Sequence, residues 1–211
     1  MANSEATVLH HHEAINKNVP LEYSTAEGRM NILGFWIFLG AEFALFATLF
    51  STYLVLHAST AGGPTSRELF EVRPFAIETL ILLVSSFTCG LAIHEMRSGR
   101  VKGLISWLLV TLLLGAGFVG MEINEFITYV AHGATLSRSA FLSGFFVLVG
   151  THGAHVSLGI LWMISIIIQL AQRGLTPRTT RKAFIVGIYW HFLDVVWVFI
   201  FTAVYLTGKV I

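Results

Sequence analysis

The chain is poor in the residues on which most soluble and secreted folds depend. It has one cysteine, Cys89, in 211 residues, which excludes a disulfide framework and a cysteine-based metal cluster. Charged residues make up only 12% of the sequence, against about 25% in a soluble domain, and soluble readings are dropped on that ground. A formal net charge of +1, with no basic patch alternating with aromatics, gives no sign of a nucleic-acid partner. The first thirty residues are polar and lack an apolar h-region, so no cleavable signal peptide is expected. There is no internal repeat. What is abundant is hydrocarbon: 55% of the residues are hydrophobic, and they fall in long runs.

Five such runs stand out, roughly Asn31–Leu56, Phe75–Met96, Leu104–Phe126, Phe141–Leu170 and Phe184–Leu206. Each is near or above the ~20 residues that cross ~30 Å of hydrocarbon as a helix. The long first and fourth runs imply tilt or extension beyond the bilayer. Connections are short and marked by Gly, Pro or charge, as at Gly62-Gly63-Pro64, Arg97–Lys102, Ile127–Ala140 and Ala171–Lys182 with Pro177. Residues 1–30 are read as a polar tail and 31–211 as one five-helix transmembrane domain. Its Leu9-His10-His11-His12-Glu13 tract reads as solvated tail in preference to a metal site.

Lysine and arginine set the expected orientation. The tail and the second and fourth loops hold nine of the 13 (Lys17, Arg29, Arg97, Arg100, Lys102, Arg173, Arg178, Arg181, Lys182). The other side holds Arg67, Arg73, Arg138 and Lys209, the remaining four. The positive-inside rule puts the N-terminus in the cytoplasm and the C-terminus outside. The expected fold is therefore all-α: a polytopic membrane protein with five transmembrane helices.

Ionisable residues inside such runs are costly and face protein, so each needs a partner or a task. Tyr189-Trp190-His191-Phe192-Leu193-Asp194-Val195-Val196-Trp197 places an imidazole and a carboxylate on one helix face, and likewise two tryptophans seven apart. At 1.5 Å per residue, Glu42, His152 and His155 fall near mid-membrane, and His191 and Asp194 slightly to the cytoplasmic side. Glu122 and Glu125 fall near the outer end of the third run, and Glu78 near the outer start of the second. One interhelical polar band is the economical arrangement. His152 and His155 with Glu42 or Asp194 are conceivable metal ligands, but the Glu-x-x-His pairs of carboxylate di-metal bundles are absent. So are the further histidines that haem or copper would require. Pairing by hydrogen bonds is favoured over a metal site, and a band at one level over a proton channel through the membrane. A stand-alone transporter or channel using Glu42, His155 and Asp194 remains the alternative.

Gly115-Ala116-Gly117-Phe118-Val119-Gly120 spells GxGxxG, but inside an apolar run it lacks the strand and turn that give that pattern meaning. Close helix packing is its expected use, together with Gly144, Gly150, Gly153, Ala154, Ser157 and Gly159.

The Tyr189–Trp197 run resembles the last-helix signature of subunit III of the haem–copper respiratory oxidases. Gly150-Thr151-His152-Gly153-Ala154-His155-Val156 is similar to that family's paired-histidine segment, and Gly40-Ala41-Glu42-Phe43 to its membrane-buried acidic position. The resemblance runs from Ile32 to Lys209. It looks closest to the quinol oxidase branch, through five spans rather than seven, Thr60-Ala61-Gly62-Gly63-Pro64-Thr65, Gly120-Met121-Glu122-Ile123 and Arg173-Gly174-Leu175-Thr176. The two extra N-terminal helices of longer relatives are absent, so their lipid-holding cleft is not assumed. The resemblance implies a chain without haem or copper, those cofactors lying in a large partner, subunit I, that oxidises quinol and reduces oxygen to water. It implies packing against subunit I and other oxidase subunits, phospholipid binding, and support of proton uptake, in a bacterial plasma membrane. Glu42 carries over as the buried acid, and Glu122, His152, His155, His191 and Asp194 as motif positions without individual roles.

Overall fold

The computed structural model describes residues 19–62 and 72–206. The histidine tract and Glu13, Lys17, the Gly63–Thr65 stretch, Arg67 and Lys209 lie outside them. Five helices result: α1 (Ala26–Leu56), α2 (Val72–Arg97), α3 (Val101–Ala131), α4 (Ala140–Arg173) and α5 (Pro177–Ile200), the last running on into a π-helical turn, Phe201–Leu206. All five are long and apolar enough to cross a membrane, and no strand occurs among the described residues.

Every helix begins before or ends beyond its hydrophobic run. α5 starts at Pro177, not near Phe184, and α3 continues to Ala131. Hydropathy marks only the part in hydrocarbon, whereas helical hydrogen bonding continues through charged and polar turns at the interface. Capping explains the true starts. Thr176 accepts from Thr179 N while the Thr179 hydroxyl accepts from Thr176 N, with Pro177 at the first position of α5, a reciprocal box ahead of a proline whose missing N–H costs nothing there. Thr25 caps α1 by accepting from Gly28 N at 3.0 Å, and Ser139 caps α4 by accepting from Leu142 N. α4 ends at Gly174, whose φ of +63° suits a residue without Cβ. The expected boundary at residue 30 thus falls inside α1. Ahead of that helix, Leu21–Tyr23 form a 3-10 turn packed against α5, and its buried Glu22 pairs with Arg97 at 3.0 Å.

α5 is the central helix: it packs against α1, α2 and α4, while α3 closes the bundle between α2 and α4. Half of α5's most apolar window is buried, against 17% for α1, which leaves α1 at the edge with Trp36, Ile37 and Phe43 exposed. Small residues set the close approaches. A Cβ on Gly144 would lie 3.5 Å from Tyr53 Cα of α1, and one on Gly187 3.1 Å from Ile93 of α2. The GxGxxG run divides by face. Gly115 lies under the Trp190 indole, whereas Gly117 and Gly120 have nothing within 4 Å.

Candidate functional site

The polar residues occupy three places around α5 rather than one band. Between α1 and α4, Glu42 Oε2 meets His155 Nε2 at 3.1 Å. The other ring nitrogen, Nδ1, lies 2.7 Å from the Thr151 carbonyl oxygen. A carbonyl only accepts, so Nδ1 carries a hydrogen. Nε2 and Oε2 then share one further proton, held on either atom, because a bare imidazole lone pair facing a carboxylate makes no hydrogen bond. The pair is largely buried, with side-chain exposures of 15% for Glu42 and 18% for His155. Phe46 packs on the imidazole with ring centroids 5.2 Å apart, and the Tyr189 hydroxyl donates to the His155 carbonyl at 3.2 Å.

His152, one turn earlier on α4, is not part of that bond. It is fully buried among Phe46, Phe118 and Trp197, and neither ring nitrogen has a hydrogen-bond partner among the described residues.

The second place lies between α5 and α2. His191 Nδ1 is 2.8 Å from Ser86 Oγ, and Asp194 Oδ2 lies 4.0 Å from the same nitrogen. His191 lies midway along Pro177–Tyr205. The two tryptophans face α2 as well. Trp190 Nε1 donates to Ser85 Oγ at 3.0 Å and Trp197 Nε1 to Thr79 Oγ1 at 3.1 Å. Donors seven residues apart on α5 thus reach acceptors six apart on antiparallel α2. Each hydroxyl in turn donates to its own helix, Ser85 to Leu82 O and Thr79 to Phe75 O. A further hydroxyl pair, Thr88 with Thr111 at 2.8 Å, ties α2 to α3.

The third place is nearer the N-terminal end of α2, where Glu78 has Glu122 and Glu125 of α3 as electrostatic neighbours. Glu78 is 1% exposed, and neither of its oxygens has a hydrogen-bond partner among the described residues. Glu122 lies against Gly153 of α4, where a Cβ would overlap its carboxyl group. That contact ties the Gly150–Val156 segment to the C-terminal half of α3.

Hydrogen bonding therefore joins Glu42 to His155 and His191 to Ser86. It links none of Glu42, His152 and Asp194 to one another among the described residues. Sequence reasoning passed over Ser85, Ser86, Thr79 and Tyr189. The available signal was physical: buried indole N–H groups need acceptors, and α2 carries hydroxyls at 79, 85, 86 and 88.

Among the described residues, no three His, Cys, Asp or Glu side chains approach closely enough to hold a metal ion.

The model of the family described as cytochrome c oxidase subunit III matches residues 22–209. The chain belongs to the cytochrome c oxidase subunit III family. Its similarity to individual members is high over nearly full length. It is 63% identical over 200 residues to quinol oxidase subunit 3 of Bacillus subtilis (strain 168), covering 95% of this chain and 98% of that one. It is 53% identical over 191 residues to the probable quinol oxidase subunit 3 of Staphylococcus aureus (strain NCTC 8325 / PS 47), covering 90% and 95%. As a subunit III the chain is one component of an oxidoreductase complex and a multi-pass membrane protein. The reading as a stand-alone transporter or channel is not favoured.

Proposed function

We propose that this chain is the third subunit of a haem–copper quinol oxidase of a bacterial plasma membrane, itself without cofactor. The observation that carries the reading is the 63% identity to quinol oxidase subunit 3 across 98% of the Bacillus subtilis chain. The chemistry of the complex, quinol oxidation and oxygen reduction to water, belongs to haem and copper in the large subunit I, the main contact of this chain. Its own work is to assemble with subunit I and the other oxidase subunits, to hold phospholipid, and to support proton uptake. The N-terminus is cytoplasmic and the C-terminus outside, on the lysine and arginine distribution.

Glu42 and His155 are the residues proposed to serve proton handling. Their bond contains a shared proton that can shift from oxygen to nitrogen without leaving the pair. His191 and Asp194 act as packing and hydrogen-bonding groups that fix α5 against α2. Glu122, Glu125 and His152 are proposed as buried polar positions of the same kind.

The test is purification of the oxidase with and without this chain. The expected result is unchanged haem content with lower sustained turnover. Loss of haem on changing Glu42, His152 or His155 to apolar residues would refute the cofactor-free reading.

A further inference from the structure

His191 is placed where a lipid-facing residue is apolar. Its side chain is 43% exposed, yet it stands at the midpoint of its span, and its partner Ser86 stands at the midpoint of Pro74–Arg97. Both residues thus lie midway along their helices, well inside the apolar stretch. Nδ1 is committed to Ser86, and no hydrogen bond within the described residues uses Nε2. On the other outward faces the mid-depth exposed residues include Leu113 of α3, Leu158 and Leu161 of α4 and Phe43 of α1, as lipid requires.

The neighbours of His191 narrow what covers it. Along α5 the outward stripe continues as Val195 and Phe199, both more than half exposed, one and two turns beyond the imidazole. On α2 the adjoining stripe is Leu83 and Gly90, flanking Ser86, and a Cβ on Gly90 would meet nothing within 4 Å. Phe50 of α1 touches Phe199 and walls the far side. A water-filled passage needs outward polar groups continuing along the span. Here Asp194 and Ser85 are buried, the Ser85 and Thr79 hydroxyls are taken by the indoles, and the outward neighbours of His191 and Ser86 are apolar. Acyl chains offer no hydrogen bond. A helix from another chain offers one polar side chain at one depth with apolar turns above and below, and a glycine on the receiving surface lets backbones approach closely.

We propose that the α2/α5 face is the seat of a transmembrane helix from a partner subunit, which presents a hydroxyl, amide or carboxyl group to His191 Nε2 at mid-membrane. This rests on the reading of the chain as one subunit of an oxidase complex.

The test uses the assembled complex in native membranes, with a benzophenone amino acid placed at Val195 on the proposed seat or at Leu158 on α4. Irradiation is expected to join this chain to another subunit from position 195 and to lipid alone from position 158. His191→Gln, which keeps a hydrogen-bonding group, is expected to preserve the adduct. His191→Leu should lower recovery of the partner about three-fold, the scale of one interhelical hydrogen bond in a membrane. Adducts from position 195 with lipid alone, or with a second copy of this chain, overturn the proposal. Capture of a partner from position 158 and not from 195 overturns the face assignment while leaving the subunit reading intact. Failure of any other subunit to co-purify removes both.

Discussion

Replacing Gly115 with alanine and comparing it with the same change at Gly117 isolates one packing contact. The two glycines are two residues apart on α3, and both lie inside the helix. Alanine is the better helix former by about 1 kcal/mol, and that gain is common to both variants. Their surroundings differ. A Cβ at Gly115 would stand 2.5 Å from Trp190 Cη2 and 2.7 Å from Cζ2, whereas one at Gly117 has nothing within 4 Å. Trp190 is 1% exposed and its indole N–H is fixed on Ser85, so the ring cannot turn aside without losing that bond. Overpacking of this kind costs about 1–3 kcal/mol. Gly115→Ala is therefore expected to be less stable than Gly117→Ala by about that amount, and Gly117→Ala to match or exceed the parent. Trp190→Phe removes both colliding atoms. Combined with Gly115→Ala it should cost at least about 1 kcal/mol less than the sum of the single changes. The measurement is the midpoint of thermal unfolding of the membrane-extracted complex for the parent and all four variants. Equal midpoints for the two alanine variants, or strict additivity with Trp190→Phe, would refute the packing account of this run.

Other contacts give sharp expectations. Glu42→Gln keeps a group able to donate to His155 Nε2 and should leave stability close to the parent. Glu42→Leu strands that nitrogen and should cost about 1–3 kcal/mol; equal unfolding midpoints for the two would refute the shared-proton bond. Thr79→Val deprives Trp197 Nε1 of its acceptor. In a double-mutant cycle with Trp197→Phe, the coupling should fall near 0.6 and below about 1.7 kcal/mol, the measured span for interhelical bonds in membranes. Thr176→Ala removes the hydroxyl that caps α5 and should lower stability by about 1 kcal/mol, whereas Thr52→Ala, whose hydroxyl donates to Thr48 O on an exposed face, should be near neutral. At the N-terminal turn, Arg97→Gln leaves the 1%-exposed Glu22 side chain without its cation, while Glu22→Gln removes charge and need together. Limited proteolysis near residue 20 should be faster in the first variant than in the second.

Composition and the length of the apolar runs settled that this chain crosses a membrane five times, because hydrocarbon tolerates little besides long apolar helices. The Tyr189–Trp197, Gly150–Val156 and Gly40–Phe43 segments were enough to place it in its family. Short-range chemistry was legible too: the threonine ahead of Pro177 and the glycine at 174 sit where a helix must start and another must stop. Depth arithmetic also brought Glu42 and His155 to one level, but depth is one coordinate. Which way each side chain points around its helix axis depends on how five helices pack, and no single run encodes that angle. Packing turned Glu42 toward His155, left His152 among aromatic rings, and sent His191 and both tryptophans to α2. Ser86 and Thr79 gained their roles only through α5, more than a hundred residues away in sequence. The sequence by itself determined the number of helices, their solvent and their lineage, since those follow from hydrophobicity and local hydrogen bonding. The tertiary structure alone decided which polar groups meet and which one faces outward, since a buried polar group is satisfied by whatever neighbour the packing supplies.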